Sequence, residues 1–133
     1  MRYCLDTDTC IHAMKGTYPN IAKMFGQREP ADFGIPAIVR AELLLGVLKS
    51  KAPDRTRTIV ETFLTPLETI PFEQADAKHY AEIRYDLESK GTPIGPNDLL
   101  IAATARARHL TLITHNTNEF HRVIGLAIDD WCC

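Results

Sequence analysis

The sequence predicts an α/β fold, a central parallel sheet of four to five strands covered by helices on both faces. Short apolar runs alternate with longer segments of helical periodicity, the pattern of strand–helix units whose crossover helices lie over a parallel sheet. The polar residues with most chemical reach fall just past the ends of the apolar runs, where the crevice of such a sheet lies. The chain has 133 residues, 45% apolar and 24% charged. That is enough chain for one core, and residues 1–133 read as a single domain.

Each element has a local reason. Residues 2–5 form a short apolar strand, 6–9 turn the chain, and 10–14 begin a helix. Residues 21–25 read as a short amphipathic helix and 32–35 as a second strand. Pro36 suits the first turn of a helix over 37–48, where its missing N–H costs nothing. Apolar positions 38, 39, 43, 44, 47 and 48 give that helix its core face. Pro53 and Asp54 restart a helix through Phe63, and Pro66 ends it. A third strand is predicted at 67–70. The longest helix runs over 73–90, with Ala77, Tyr80, Ala81, Ile83 and Leu87 inward and Gly91 as its stop. A loop rich in Gly and Pro, 91–96, delivers the chain to Asp98 and an apolar helix over 99–107. Residues 110–114 are the clearest strand and 127–129 the last.

Composition excludes several classes. No apolar run approaches the roughly 20 residues that span a bilayer. The start, MRYCLDTDT, acquires acids at once and carries no apolar signal core, so a cytoplasmic protein without a membrane partner is expected. Cys4, Cys10, Cys132 and Cys133 fit that compartment as free thiols, and with no C-x-x-C pair a thiolate zinc motif is not expected. The net charge of −2 means that nucleic acid would be met by a local patch, not by the whole molecule. Lys49, Lys51, Arg55 and Arg57 following one helix, and Arg106, Arg108 and His109 at the end of another, read as solvated faces and helix ends that favour cations.

The chemistry concentrates in three acids at element boundaries: Asp6 in YCLDTDTCI, Glu42 in VRAELLLGV and Asp98 in IGPNDLLIAA. Converging at one sheet edge, they would repel one another and call for a cation. That suggests a metal-dependent enzyme acting on phosphate. Asp6 and Asp98 also read as helix-start residues, since Asp is favoured there. Glu42 lies among Ala41, Leu43, Leu44 and Leu45, so its carboxylate must find a partner or the rim of a cleft. Asp8 reads either as a second ligand or, preferred here, as a helix-start acid favoured by the helix dipole. His12, His79, His109 and His121 lack metal-ligand spacing, whereas His115 follows a strand beside the expected site and is placed to meet substrate phosphate.

Four segments in order carry a resemblance: Leu5-Asp6-Thr7, Ala41-Glu42-Leu43, the run from Ile94 through Asp98 to Ala102, and the run from Thr114 to Phe120. With the ending from Gly125 to Trp131, they resemble the PIN-domain ribonucleases, and among them the VapC toxins of VapBC toxin–antitoxin pairs. The resemblance implies a PIN-like parallel sheet and Mg²⁺-dependent RNA cleavage, with Mn²⁺ able to substitute. It implies toxicity through RNA, often tRNA, and a cognate VapB-type antitoxin blocking the site. By matching motif, Asp6, Glu42 and Asp98 become the site acids, with Asp6 and Asp98 as direct metal ligands and Glu42 acting through water. Asn116 stands where an Asp is common in the family, and Glu119 follows three residues on, lying a turn further if Asn118 caps a short helix. Asn116 and Glu119 are therefore candidates to complete the site. A homodimer joined through the helices at 38–48 and 54–64 is expected from their excess of apolar positions.

Two rivals stand beside this reading. Asp6-Thr7-Asp8-Thr9-Cys10 resembles the opening motif of haloacid-dehalogenase-type phosphatases, with Asp6 as nucleophile and Asp129-Asp130 as the late acid pair. That reading gives Glu42 and Asp98 no role. A non-catalytic PIN-like binding module is the other, against which the full set of acids argues.

Overall fold

The structure, a computed structural model, describes residues 1–132, so Cys133 lies outside the described residues. In chain order the elements are β1 (Tyr3–Leu5), α1 (Thr7–Lys15), α2 (Pro19–Gly26), a 3₁₀ turn (Pro30–Asp32), β2 (Phe33–Pro36), α3 (Ala37–Lys49), α4 (Pro53–Leu64), β3 (Glu68–Ile70), α5 (Gln74–Ser89), α6 (Pro96–Ala107), β4 (Thr111–Ile113), α7 (Thr117–Phe120) and β5 (Ile128–Asp129). The strands form a five-stranded sheet in the order β3-β2-β1-β4-β5, with every pair parallel. Successive side chains of a strand point to opposite faces, and every residue of β1 and β2 is buried, so both faces of the sheet centre are covered. This is the architecture the alternating pattern predicts.

The strand order reverses beside β1. The chain builds outward from β1 to β2 and β3, then returns to add β4 and β5 on the other side. The crevice of an open parallel sheet lies at such a reversal, past the carboxyl ends of the strands. Here those ends are Leu5 and Ile113, paired in register. Asp6 follows the first and Thr114 the second, and the Asp6 N–H donates to the Ile113 carbonyl at 3.3 Å.

Leu5, Ile35, Leu112 and Ile113 form the centre of the core, and an aromatic cluster of Tyr3, Phe25, Phe33 and Trp131 closes one end. The Arg28 guanidinium lies over the rings of Tyr3 and Trp131, each about 5.0 Å from the ring centre. Trp131 is thus buried against β1 and β2, and it fixes the path of the chain after β5.

Several local expectations are corrected. α1 starts at Thr7, directly after Asp6, because the Asp6 carboxylate accepts the Thr9 N–H at 2.8 Å and ends the need for a longer turn. The core face of α3 is narrower than its composition: Val39, Leu43 and Val47 are buried, Ile38 is partly buried, and Leu44 and Leu48 face outward. On α5, Ala77 and Ala81 are exposed, Tyr80 is partly buried, and the buried face is Asp76, Ile83 and Leu87. Asp76 is held by Arg108 in an ion pair whose carboxylate is fully buried, and it also accepts the Glu73 N–H at 2.7 Å as part of a capping box. Arg106 meets Glu82 at 2.7 Å and His79 at 2.8 Å, so the cations ending α6 tie α6 to α5. Lys90 ends α5 and Gly91, at φ +69, turns the chain out of it as expected. Asp98 lies inside the first turn of α6, which begins at Pro96 and not after the acid.

Candidate active site

β1 delivers Asp6 to the crevice and α1 begins at once, so this side chain both caps the helix and faces the cleft. α3 brings Glu42 from the opposite wall; the Thr7 hydroxyl donates to its Oε1 at 2.6 Å. The Pro96 turn sets Asp98 in the first turn of α6, where a helix dipole favours a carboxylate. The strand–loop after β4 presents Asn116. Together Asp6, Thr7, Asp8, Glu42, Asp98 and Asn116 line a narrow cavity of about 110 Å³, with no Lys or Arg among its lining residues.

Glu119 does not line that cavity but stands directly behind it. Its Oε1 accepts the Gly95 N–H at 2.6 Å and its Oε2 accepts the Asn116 amide. It is also hydrogen-bonded to the Asp98 carboxyl. One carboxylate thus joins the loop before α6, the acid within α6 and the residue after β4. Asn116 itself is the N-cap of α7, which corrects the expectation of a cap at Asn118; the Asn116 N–H donates to the Thr114 hydroxyl at 3.0 Å.

The electrostatics follow from the crowding. Burial raises the Asp6 carboxyl above its ordinary range, and hydrogen bonds from Thr114 and Thr9 oppose that rise. Asp98 is pushed up to about 7 by burial, then by its hydrogen bond with Glu119 and by the charges of Glu119, Asp6 and Glu42. Glu119 is held below its ordinary value: partial burial works against this, but the Gly95 N–H, the Asn116 amide and the Asp98 carboxyl stabilise its charge. Of the two carboxyls, crowding thus favours the protonated form of Asp98 and the charged form of Glu119. A cation in the cleft would offset the crowded carboxylates. The donor set is carboxylate and amide oxygen, which suits a hard ion such as Mg²⁺ or Mn²⁺.

Asp6, Glu42 and Asp98 all reach this one region, with Asn116 in its lining and Glu119 bonded to it. Sequence reasoning missed Thr7, Thr114 and the Gly95 N–H, which orient the acids. Thr7 lay in plain view inside the quoted motif, but only α3 folding across α1 reveals its partner. Asp8 is both a first-turn acid and an exposed lining residue. His115 is exposed beside the cleft and pairs with Asp130 at 2.9 Å. Asp129 accepts the Trp131 indole N–H at 3.1 Å. The late acid pair that a phosphatase would need is thus engaged with His115, Trp131 and Cys132, and neither acid lines the cavity. Cys4 and Cys10 are buried thiols whose burial pushes them well above the ordinary cysteine range, which makes them inert.

The PIN-domain family profile matches residues 3–126. The chain is 39% identical over 132 residues to the tRNA(fMet)-specific endonuclease VapC of Salmonella typhimurium strain LT2, covering 99% of both chains. It is 39% identical over 134 residues to Ribonuclease VapC2 of Rickettsia felis, covering 98% of each. Its fold superposes on the crystal structure of DNA-bound VapBC from Salmonella typhimurium with a TM-score of 0.94, at 39% identity and 99% coverage of both chains.

Proposed function

The chain belongs to the PIN-domain family and, within it, to the VapC ribonucleases, and we propose that it hydrolyses RNA phosphodiester bonds with Mg²⁺ held in the acidic cleft, as the toxin of a VapBC-type pair. One observation carries the metal: the cleft gathers Asp6, Glu42, Asp98 and Asn116 with no cationic side chain among its lining residues. Asp6 and Asp98 are the direct ligands, and Mn²⁺ can take the place of Mg²⁺. What a divalent ion supplies there when bound is charge to offset that of the phosphate and to make water more acidic.

The chain's own residues do the rest. Glu42, fixed by the Thr7 hydroxyl, orients the attacking water toward the phosphorus. Asn116 offers its amide oxygen to the cleft while its nitrogen is held by Glu119. Glu119 positions Asp98 and the Gly95 backbone. Asp98, whose carboxyl the neighbouring acids crowd, would hold the ion together with Asp6. The phosphatase reading falls with family membership, and a non-catalytic module has no use for acids held this close.

The substrate class is RNA, and the relative named for tRNA(fMet) makes tRNA the first class to test. A VapB-type antitoxin is the partner that silences the site, laying a basic side chain over the carboxylates. A second copy of the chain packs on the outward apolar positions Leu44, Leu45 and Leu48 of α3 and Ile59 of α4. No helix among the described residues is long and apolar enough to cross a membrane, and an enzyme of cellular tRNA works in the cytoplasm. Incubating the purified chain with total tRNA and Mg²⁺ tests the substrate: discrete tRNA fragments are expected. Intact tRNA alongside cleaved messenger RNA would move the substrate to another RNA class.

A further inference from the structure

The carboxyl-terminal segment carries a second donor cluster that the acidic cleft does not use. An imidazole nitrogen of His115, a carboxylate oxygen of Asp130 and the sulfur of Cys132 all lie within 4.8 Å of one another. The Asp130 Oδ2 already meets His115 Nδ1 at 2.9 Å, and its Oδ1 accepts the Cys132 N–H at 2.8 Å. That second bond is a local turn in which Asp130 folds the chain back so that the Cys132 side chain sits beside its own. None of Asp130, Cys132 or His115 lines the acidic cavity.

We propose that His115, Asp130 and Cys132 form a transition-metal site, taking Zn²⁺ or an ion of similar softness, separate from the acidic cleft. The donor set decides the ion class. Thiolate and imidazole prefer Zn²⁺ and its neighbours, whereas Mg²⁺ takes oxygen. Donors sharing one tetrahedral zinc, at about 2.0–2.3 Å from it, stand roughly 3.3–3.7 Å apart. The cluster is therefore within about an ångström of closure, and His115, exposed on a loop, has the freedom to supply it. Binding exchanges the Cys132 thiol proton, released to solvent, for the ion. The ion would fasten the loop after β4 to the segment after β5, whose Trp131 is seated in the aromatic cluster. It would thus act as a clamp on the carboxyl-terminal end of the fold. The absence of a C-x-x-C pair does not weigh against this, because the histidine comes from a different strand end.

The test uses Co²⁺ as a spectroscopic probe on the full chain carrying Asp98→Asn, which disables the acidic cleft as a competing site. One equivalent of Co²⁺ is expected to give a thiolate-to-metal absorption band that Zn²⁺ removes. Cys132→Ser should abolish the band, and Cys133→Ser should keep it. His115→Ala, at an exposed position that leaves the fold intact, should weaken Co²⁺ binding by at least the roughly 10–100-fold typical of a lost outer-shell partner. Zn²⁺ should also raise the melting temperature of the Asp98→Asn chain but not of its His115→Ala derivative. No band, a band lost with Cys133 but not with Cys132, or Co²⁺ affinity unchanged by His115→Ala would each overturn the site.

Discussion

The Thr7 hydroxyl donates to Glu42 Oε1 at 2.6 Å, joining the first turn of α1 to the body of α3 across the mouth of the cleft. Thr7 is the residue next to Asp6, so the same chain reversal that presents one acid also orients another. Replacing Thr7 with Val keeps the shape and removes the donor. Thr7→Val should slow RNA cleavage by roughly 10–100-fold, less than Glu42→Gln, because a hydrogen bond to a charged group is worth roughly 1.5–3 kcal/mol. The double variant should be no slower than Glu42→Gln alone. Additive losses in single-turnover assays would show that Thr7 acts by another route.

Glu119 and Asn116 make a second comparison. Glu119 holds Gly95, Asn116 and Asp98 at once, whereas Asn116 contributes one neutral side chain. Glu119→Gln should therefore reduce cleavage more than Asn116→Ala, most visibly at limiting Mn²⁺. Two inert variants would leave Asp6, Glu42 and Asp98 as the whole site.

The raised Asp98 carboxyl makes a prediction about stability. Its pKa is about 7 in the folded chain against an ordinary 3.8, so between those values the folded state binds more protons than the unfolded one. Stability then falls as pH rises through that window. In chelator, Asp98→Asn should melt above the wild type at about pH 8, and the gap should narrow as pH falls through about 7 and close only near the ordinary carboxyl value of 3.8. Mg²⁺ should raise the melting temperature of the wild type and not of Asp98→Asn. Melting temperatures that differ by the same amount at about pH 8 and about pH 4 would refute the raised Asp98 carboxyl.

Expression of the chain alone should arrest bacterial growth, and Asp6→Ala should relieve the arrest. Asp6→Asn should relieve it too, since the amide oxygen keeps the cap on Thr9 that Ala loses, a cap worth about 1 kcal/mol. Relief by Ala without relief by Asn would point to lost folding, not lost chemistry. Normal growth with abundant folded wild-type protein would count against a toxin.

The parallel sheet, the order of its elements and the three acids were legible because they rest on periodicity and on Pro, Gly and Asp punctuation. The helical register of α3 and α5 was less so. Leu44 and Leu48 are as apolar as Leu43, and only the packing of α3 on its neighbours shows which face is covered. Asp76 reads as a surface acid until Arg108, far along the chain, is found beside it. The same limit hid Thr7 and the Gly95 N–H, whose partners come from other elements, and set Asn116 as the cap of α7 where Asn118 was equally eligible by residue type. The acids themselves stood out because each breaks an apolar run, and burial of a charge demands a partner.

The most direct measurement is cleavage of a synthetic RNA pool by the purified chain and by Asp98→Asn, each with Mg²⁺, with Mn²⁺ and with chelator. The amide is nearly the shape of the carboxylate but a poorer ligand. Wild-type cleavage that requires either ion and stops in chelator is expected, together with a loss of at least about 100-fold in Asp98→Asn, equivalent to roughly 2.7 kcal/mol of transition-state stabilisation. Cleavage that persists in chelator, or full activity in a folded Asp98→Asn chain, would contradict a metal-dependent ribonuclease built on this cleft.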